Sequence, residues 1–211
     1  MMNINHKIDS TILDHGGLYN DGDGLTIGCF YALDSIRHFG RIHSGVNISI
    51  AMHSIQAAMI GAKWYNWQAT RGFKWSLSQC EFVVLCTMHD LSEAIVGDVW
   101  RPAKTEESEE QEKLVHSRIM QFLELNINSD QMVTAELKKV DNAAQFCELV
   151  HYLEMSPNHP GLSSIGVSQA RIIIQSEMDG FCMKALGLEK HPVAVRLISE
   201  TNAIMKRAFA P

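Results

Sequence analysis

DQMVTAELKKVDNAAQFCELVHYLEM, residues 130–155, places Val133, Leu137, Val140 and Ala144 at steps of three and four. That spacing stacks side chains along one stripe of an α-helix, whereas a strand would need alternation. Ser129-Asp130 suits the start of this helix, and Ser156-Pro157 with Pro160-Gly161 suits its close. The same period recurs outward in both directions, at 30–39, 48–66, 77–96, 108–124, 167–186 and 190–208, each with one apolar face. Asn47 and Ser49 are candidate N-caps for the second segment, while Gly97 and Gly187 suit helix ends. No β-branched alternating run occurs outside the N-terminal stretch, and there is no internal repeat or low-complexity linker. The expected architecture is all-α, a compact helical bundle forming one domain over residues 31–211.

Residues 1–30 read differently. Gly16-Gly17, Asn20-Asp21-Gly22 and Asp23-Gly24 predict an irregular loop or arm with little helix. Asp21-Gly-Asp-Gly faintly suggests a calcium loop, but the twelfth position from Asp21 is Ala32, where such a loop needs a bidentate Glu. The cluster Glu106, Glu107, Glu109, Glu110 and Glu112 falls at the start of a predicted helix, where carboxylates complement the positive end of the helix dipole.

The 211 residues carry 18 Lys plus Arg against 24 Asp plus Glu, a net charge of -6. No basic surplus is left to neutralise a phosphate backbone, so a nucleic-acid polymer is not an expected partner. A small phosphorylated ligand needs only a few placed cations. The N-terminus has neither a basic region nor an apolar core, and no run approaches the roughly 18 apolar residues of a membrane span. The expected setting is the cytoplasm, away from any membrane. Cys29, Cys80, Cys86, Cys147 and Cys182 form no C-x-x-C pair and read as reduced core residues.

His89-Asp90 as a dipeptide means little, since about half such a pair is expected by chance in a chain of this composition. Its surroundings carry more. In Cys-Thr-Met-His89-Asp90-Leu-Ser-Glu93-Ala-Ile-Val-Gly97-Asp98, a helix running to Gly97 would put Glu93 one turn from both His89 and Asp90. An apolar helix face tolerates three such groups only if they are paired or bind an ion. His53 lies in the apolar run Ile50–Ile60, and Asp141 in Leu137-Lys-Lys-Val-Asp141-Asn-Ala-Ala. Two imidazoles and two carboxylates on three helices form a ligand set suited to a divalent transition metal in a helical bundle. No G-x-x-x-x-G-K-[ST] loop, G-x-S-x-G elbow or H-E-x-x-H pair competes with it.

His53, His89-Asp90 and Asp141 together resemble the H…HD…D pattern of the HD-domain metal-dependent phosphohydrolases. Flanking residues resemble the nucleotidase-like branch, which includes bacterial 5′-deoxynucleotidases and phage-encoded deoxynucleoside triphosphohydrolases. They are Ala32-Leu33-Asp-Ser-Ile36-Arg37-His38-Phe39-Gly40, His53-Ser54, His89-Asp90-x-Ser92-Glu93-x3-Gly97-Asp98-x2-Arg101-Pro102-x-Lys104 and Lys138-x-x-Asp141. The resemblance implies that His53, His89, Asp90 and Asp141 hold Zn, Co or Mn, with Mg a further candidate on the substrate phosphates. It implies that Glu93 orients water or passes a proton and that Asp98 faces the sugar 3′-hydroxyl. Lys104 and Lys138 would hold phosphate oxygens, and Phe39 would stack on the base. Trp100 and Pro102 lie on the loop expected to rim the pocket, while Trp64, Trp67 and Trp75 read as packing residues.

Two positions depart from the branch pattern. Where the deoxynucleotidases carry Arg this chain has His38, with Arg37 one residue earlier, so either could contact phosphate. The acidic residue before the first histidine is Met52 here. The expected activity is hydrolysis of free deoxynucleotides, favoured as cleavage of a dNTP such as dATP to deoxynucleoside and triphosphate. The alternatives are a 5′-deoxynucleotidase acting on dNMPs and, outside enzymes, a nucleotide-binding regulator. The resemblance also implies a homo-oligomer, for which Ile172-Ile173-Ile174 and Met183 are candidate interface or core.

Overall fold

Ser49 opens the first helix: its hydroxyl accepts the Met52 N–H at 3.2 Å and its carbonyl accepts the His53 N–H at 3.0 Å. From there α1 spans Ile50–Thr70. It stops where Gly72 takes a φ of 86° and the N–H groups of Gly72 and Phe73 return to the carbonyls of Ala69 and Gln68, a Schellman motif. The computed structural model describes residues 49–93, 105–127 and 129–208. Within them follow α2 (Gln79–Met88), α3 (Glu106–Phe122), α4 (Gln131–Met155), α5 (Pro160–Gln175) and α6 (Pro192–Ala208), with a π-helical turn at Phe181–Ala185 and a 3-10 turn at Leu188–Lys190. No strand occurs among the described residues, so the chain is all-α there. No helix among them is long and apolar enough to cross a membrane. The expected arm at 1–30, the segment 30–39, Asn47, Cys29 and the helix end at Gly97 lie outside the described residues.

Three expected segments have different bounds. The 48–66 segment continues to Thr70, because Gly72 rather than the last apolar residue stops it. The 77–96 segment ends as a helix at Met88; Leu91 and Glu93 then bond three residues back, to the carbonyls of Met88 and Asp90. The 167–186 segment starts earlier and breaks earlier. Pro160 opens α5, since proline at a first helical position loses no hydrogen bond, and the His159 side chain accepts the Leu162 N–H. α5 then ends at Gln175, where Glu177 takes a φ of 59°.

The chain forms two units, Met1–Ser54 with Met88–Ile127, and Ile55–Thr87 with Asn128–Pro211. In the first, Thr105 and Ser108 form a reciprocal capping box at the start of α3, and Glu106, Glu107 and Glu109 fill its first turn. Val115 and Ile119 are its buried stripe. In the second unit α4 packs against α5 and α6, and α5 against α6. Val133, Val140 and Ala144 are buried as expected, with Leu137 partly so. Gly166 lets α5 approach closely, because a Cβ there would sit 2.8 Å from Leu153 Cδ1.

The Glu136 carboxylate is buried in the second unit, and three donors hold it. Trp64 Nε1 lies at 2.7 Å and Gln68 Nε2 at 2.9 Å from one oxygen, and Lys139 Nζ at 2.7 Å from the other. Such saturation is what allows an ionised group inside an apolar core. Trp64 also meets Phe181 edge-on, and Trp75 stacks on Tyr65, so these tryptophans pack as expected. Cys86 and Cys182 are buried and Cys147 partly so, all as free thiols. Cys80 corrects the expectation of a core residue: it lies in the first turn of α2 beside exposed Glu81 and is itself exposed.

Candidate metal centre

Two local structures carry the centre. The first turn of α1 presents His53, which has no exposed surface. His89 and Asp90 lie on the turn after α2, and that corrects the expected shared helix face. Adjacent residues in a helix diverge by about 100°. Leaving the helix at Met88 frees them from that divergence, and Asp90 Oδ2 comes within 3.1 Å of His89 Nε2 and 3.6 Å of His53 Nε2. The two imidazoles have centroids 5.3 Å apart and are tilted by 53°. One donor atom from each of the three residues lies within 4.8 Å of the others.

These residues fit a divalent transition metal. Donors about 2.1 Å from a tetrahedral or octahedral ion stand about 3.0–3.4 Å apart, close to the observed separations. Imidazole nitrogen with carboxylate oxygen is the donor chemistry of Zn, Mn and Co sites. Beside the ligands, Ser54 Oγ, Ser92 Oγ and His116 Nδ1 are buried without a hydrogen-bond partner among the described residues. Native folds rarely leave such atoms unsatisfied, so their presence here suits a hydrated ion.

Glu93 is buried one turn after Asp90, its N–H donating to the Asp90 carbonyl at 2.9 Å. His116, on α3, was not among the residues the sequence singled out. Burial pushes its imidazole below the ordinary histidine range, and His89 reinforces that shift while Asp90 opposes it. Its signal in the sequence was only a polar residue between the buried positions Val115 and Ile119. Met52, which stands where the resemblance led one to expect an acid, is largely exposed.

Asp141 belongs to the second unit, buried on α4. Gln145 Nε2 donates to its Oδ1 at 2.8 Å, and the Lys138 ammonium one turn back pairs with its Oδ2. Lys138 is otherwise nearly half exposed. Arg37, His38, Phe39, Asp98, Trp100, Pro102 and Lys104 lie outside the described residues.

A family model described as HD domain matches residues 38–149, more than half of the chain and inclusive of all four expected ligands. The chain therefore belongs to the HD-domain family, whose members are generally metal-dependent hydrolases. No curated protein and no solved structure matches it.

Proposed function

We propose that this HD-domain protein hydrolyses free deoxynucleotides, cleaving a dNTP such as dATP to deoxynucleoside and triphosphate. The observation that carries this is the His53, His89 and Asp90 cluster, a preformed set of divalent-metal donors within 4.8 Å of one another. Asp141 is the proposed fourth ligand, from the Lys138-x-x-Asp141 motif. A bound Zn, Mn or Co would supply a Lewis acid that activates water and neutralises phosphoryl charge. Glu93, a buried carboxylate, orients the attacking water and accepts its proton. Lys104 and Lys138, with Arg37 or His38, hold phosphate oxygens and stabilise the charge spread over them in the transition state. Asp98 receives the 3′-hydroxyl, Phe39 stacks on the base, and Trp100 and Pro102 rim the pocket. The water oxygen bonds to the α-phosphorus, the bond to the 5′-oxygen breaks, and the proton leaves with the nucleoside.

Metal-stripped protein, re-supplied with Zn, Mn, Co or Mg and incubated with each dNTP and dNMP, tests this by anion-exchange chromatography of the products. Deoxynucleoside with intact triphosphate is the expected outcome. Deoxynucleoside and phosphate from dNMPs alone would replace it with the 5′-deoxynucleotidase activity. Binding without turnover under any metal would leave a nucleotide-binding regulator. Asp90→Ala should lower turnover by about a thousandfold or more, since it removes several kcal/mol of charge stabilisation. An active Asp90→Ala protein, freed of contaminating phosphatase, would sink the site assignment.

A further inference from the structure

Both oxygens of the Asp141 carboxylate are engaged by its own helix, and by donors of different kinds. Oδ1 accepts from the neutral Gln145 amide at 2.8 Å, four residues on, and Oδ2 pairs with the charged Lys138 ammonium, three residues back. The two contacts differ in how easily they exchange. Gln145 is a half-buried side chain whose amide keeps its dipole whatever else is bound, and it lies on the inner stretch of α4 between Ala144 and Phe146, both buried. Lys138 has a flexible stem with nearly half its side chain in solvent, and its charge is of the same sign as a metal ion.

We propose that Gln145 is a positioning residue that fixes Asp141 through Oδ1, and that Lys138 guards Oδ2 as a stand-in cation, so that a divalent metal and the Lys138 ammonium compete for one oxygen. The proposal rests on Asp141 being a metal ligand and adds which oxygen ligates and what it exchanges. A carboxylate held at one oxygen keeps its plane and offers the other in a fixed direction, the usual service of an outer hydrogen-bond partner to a ligating carboxylate. When metal takes Oδ2, the ammonium loses its counter-charge and turns to solvent, where it becomes available to an incoming phosphate oxygen. Metal loading and readiness of Lys138 for the substrate are thereby one event. Gln145 could not be recognised from its residue type, since a Gln at helical spacing from an Asp usually forms an ordinary surface pair.

The test measures Mn²⁺ affinity of the metal-stripped full chain through the electron paramagnetic resonance signal of free Mn²⁺, with thermal melting of each apo variant as the folding control. Gln145→Leu should weaken Mn²⁺ binding about tenfold, the lower end of the effect of removing an outer partner, in an apo protein that still melts in one cooperative transition. If Gln145→Leu does not fold, Gln145→Met, unbranched and of similar length, takes its place. Lys138→Met should do the opposite and tighten Mn²⁺ binding severalfold, while turnover falls. Unchanged or weakened Mn²⁺ binding in Lys138→Met overturns the competition. Unchanged binding in Gln145→Leu, with Asp141→Ala weakened, overturns the positioning role and leaves Asp141 as a ligand. Unchanged binding in Asp141→Ala overturns the ligand assignment itself, and the proposal with it.

Discussion

Cys80 and Cys86 lie on the same short helix and have opposite chemistry. Cys80 is open to solvent in the first turn of α2. Cys86 is fully buried, and desolvation, with the Asp141 carboxylate adding to it, pushes its thiol up to about 12. Cys147 is likewise pushed up to about 12 by burial, and Cys182 is raised as well. A thiol with that value is ionised in only about one molecule in ten thousand at pH 8, so Cys86 is inert as a nucleophile in the metal-free protein. In a Cys29→Ser background, a thiol-disulfide colorimetric reagent at pH 8 should titrate one cysteine of the native protein, Cys80, within minutes. Denaturant should release the other three. Rapid native reaction of more than one thiol would show that burial is not controlling these groups.

Helix ends decide much of what the elements do. α1 stops on Gly72 with a φ of 86°, where a Cβ would meet nothing within 4 Å. α3 and α5 stop by the same hydrogen-bond pattern but place Glu124 (φ 54°) and Glu177 (φ 59°) at the left-handed position. A side chain there is strained, so Glu177→Gly should stabilise the protein by about 0.5–1 kcal/mol, and Gly72→Ala should destabilise it by a similar amount. Urea midpoints at constant slope measure both, and a destabilised Glu177→Gly protein would refute the account. The same ends explain what the sequence made legible. The apolar stripe of α4 was readable because Val133, Leu137, Val140 and Ala144 follow at steps of four, three and four, and the Thr105 to Glu112 stretch because its acids mark a helix start. The break after Gln175 was not readable, since no glycine or proline announces it and a Glu occupies the turn. Nor was the stop at Met88 readable, because apolar residues continue beyond it. For that reason His89 and Asp90 could be picked out by type while their convergence could not. Glu136, Gln145 and His116 resembled ordinary polar residues of helices until burial and partners were known.

For the molecule as a whole, buried titratable groups set a pH window. His116 is held below its ordinary range, so it contributes stability above its unfolded value of about 6.5 that is lost as pH falls through the folded value. Cys86 and Cys147 are raised to about 12, so their contribution is complete below the unfolded thiol value of about 8.5 and is lost as pH rises toward 12. Metal-free protein should therefore be most stable between about pH 6.5 and 8.5, falling on both sides, as urea unfolding across pH 4 to 11 would record. Stability that held level from pH 8.5 to 11 would contradict the assignment of the thiols. The cluster around Glu136 has a consequence for descent. Trp64, Gln68 and Lys139 all spend their donors on one buried carboxylate, and the Lys139 ammonium also lies 5.9 Å from the Trp64 ring centre. Replacing the acid alone orphans three donors, and replacing a donor alone leaves the acid short of a partner. A lineage crossing to an apolar core at this spot would have to exchange several codons almost together, so Trp64, Gln68, Glu136 and Lys139 are expected to change as a block wherever any one of them changes.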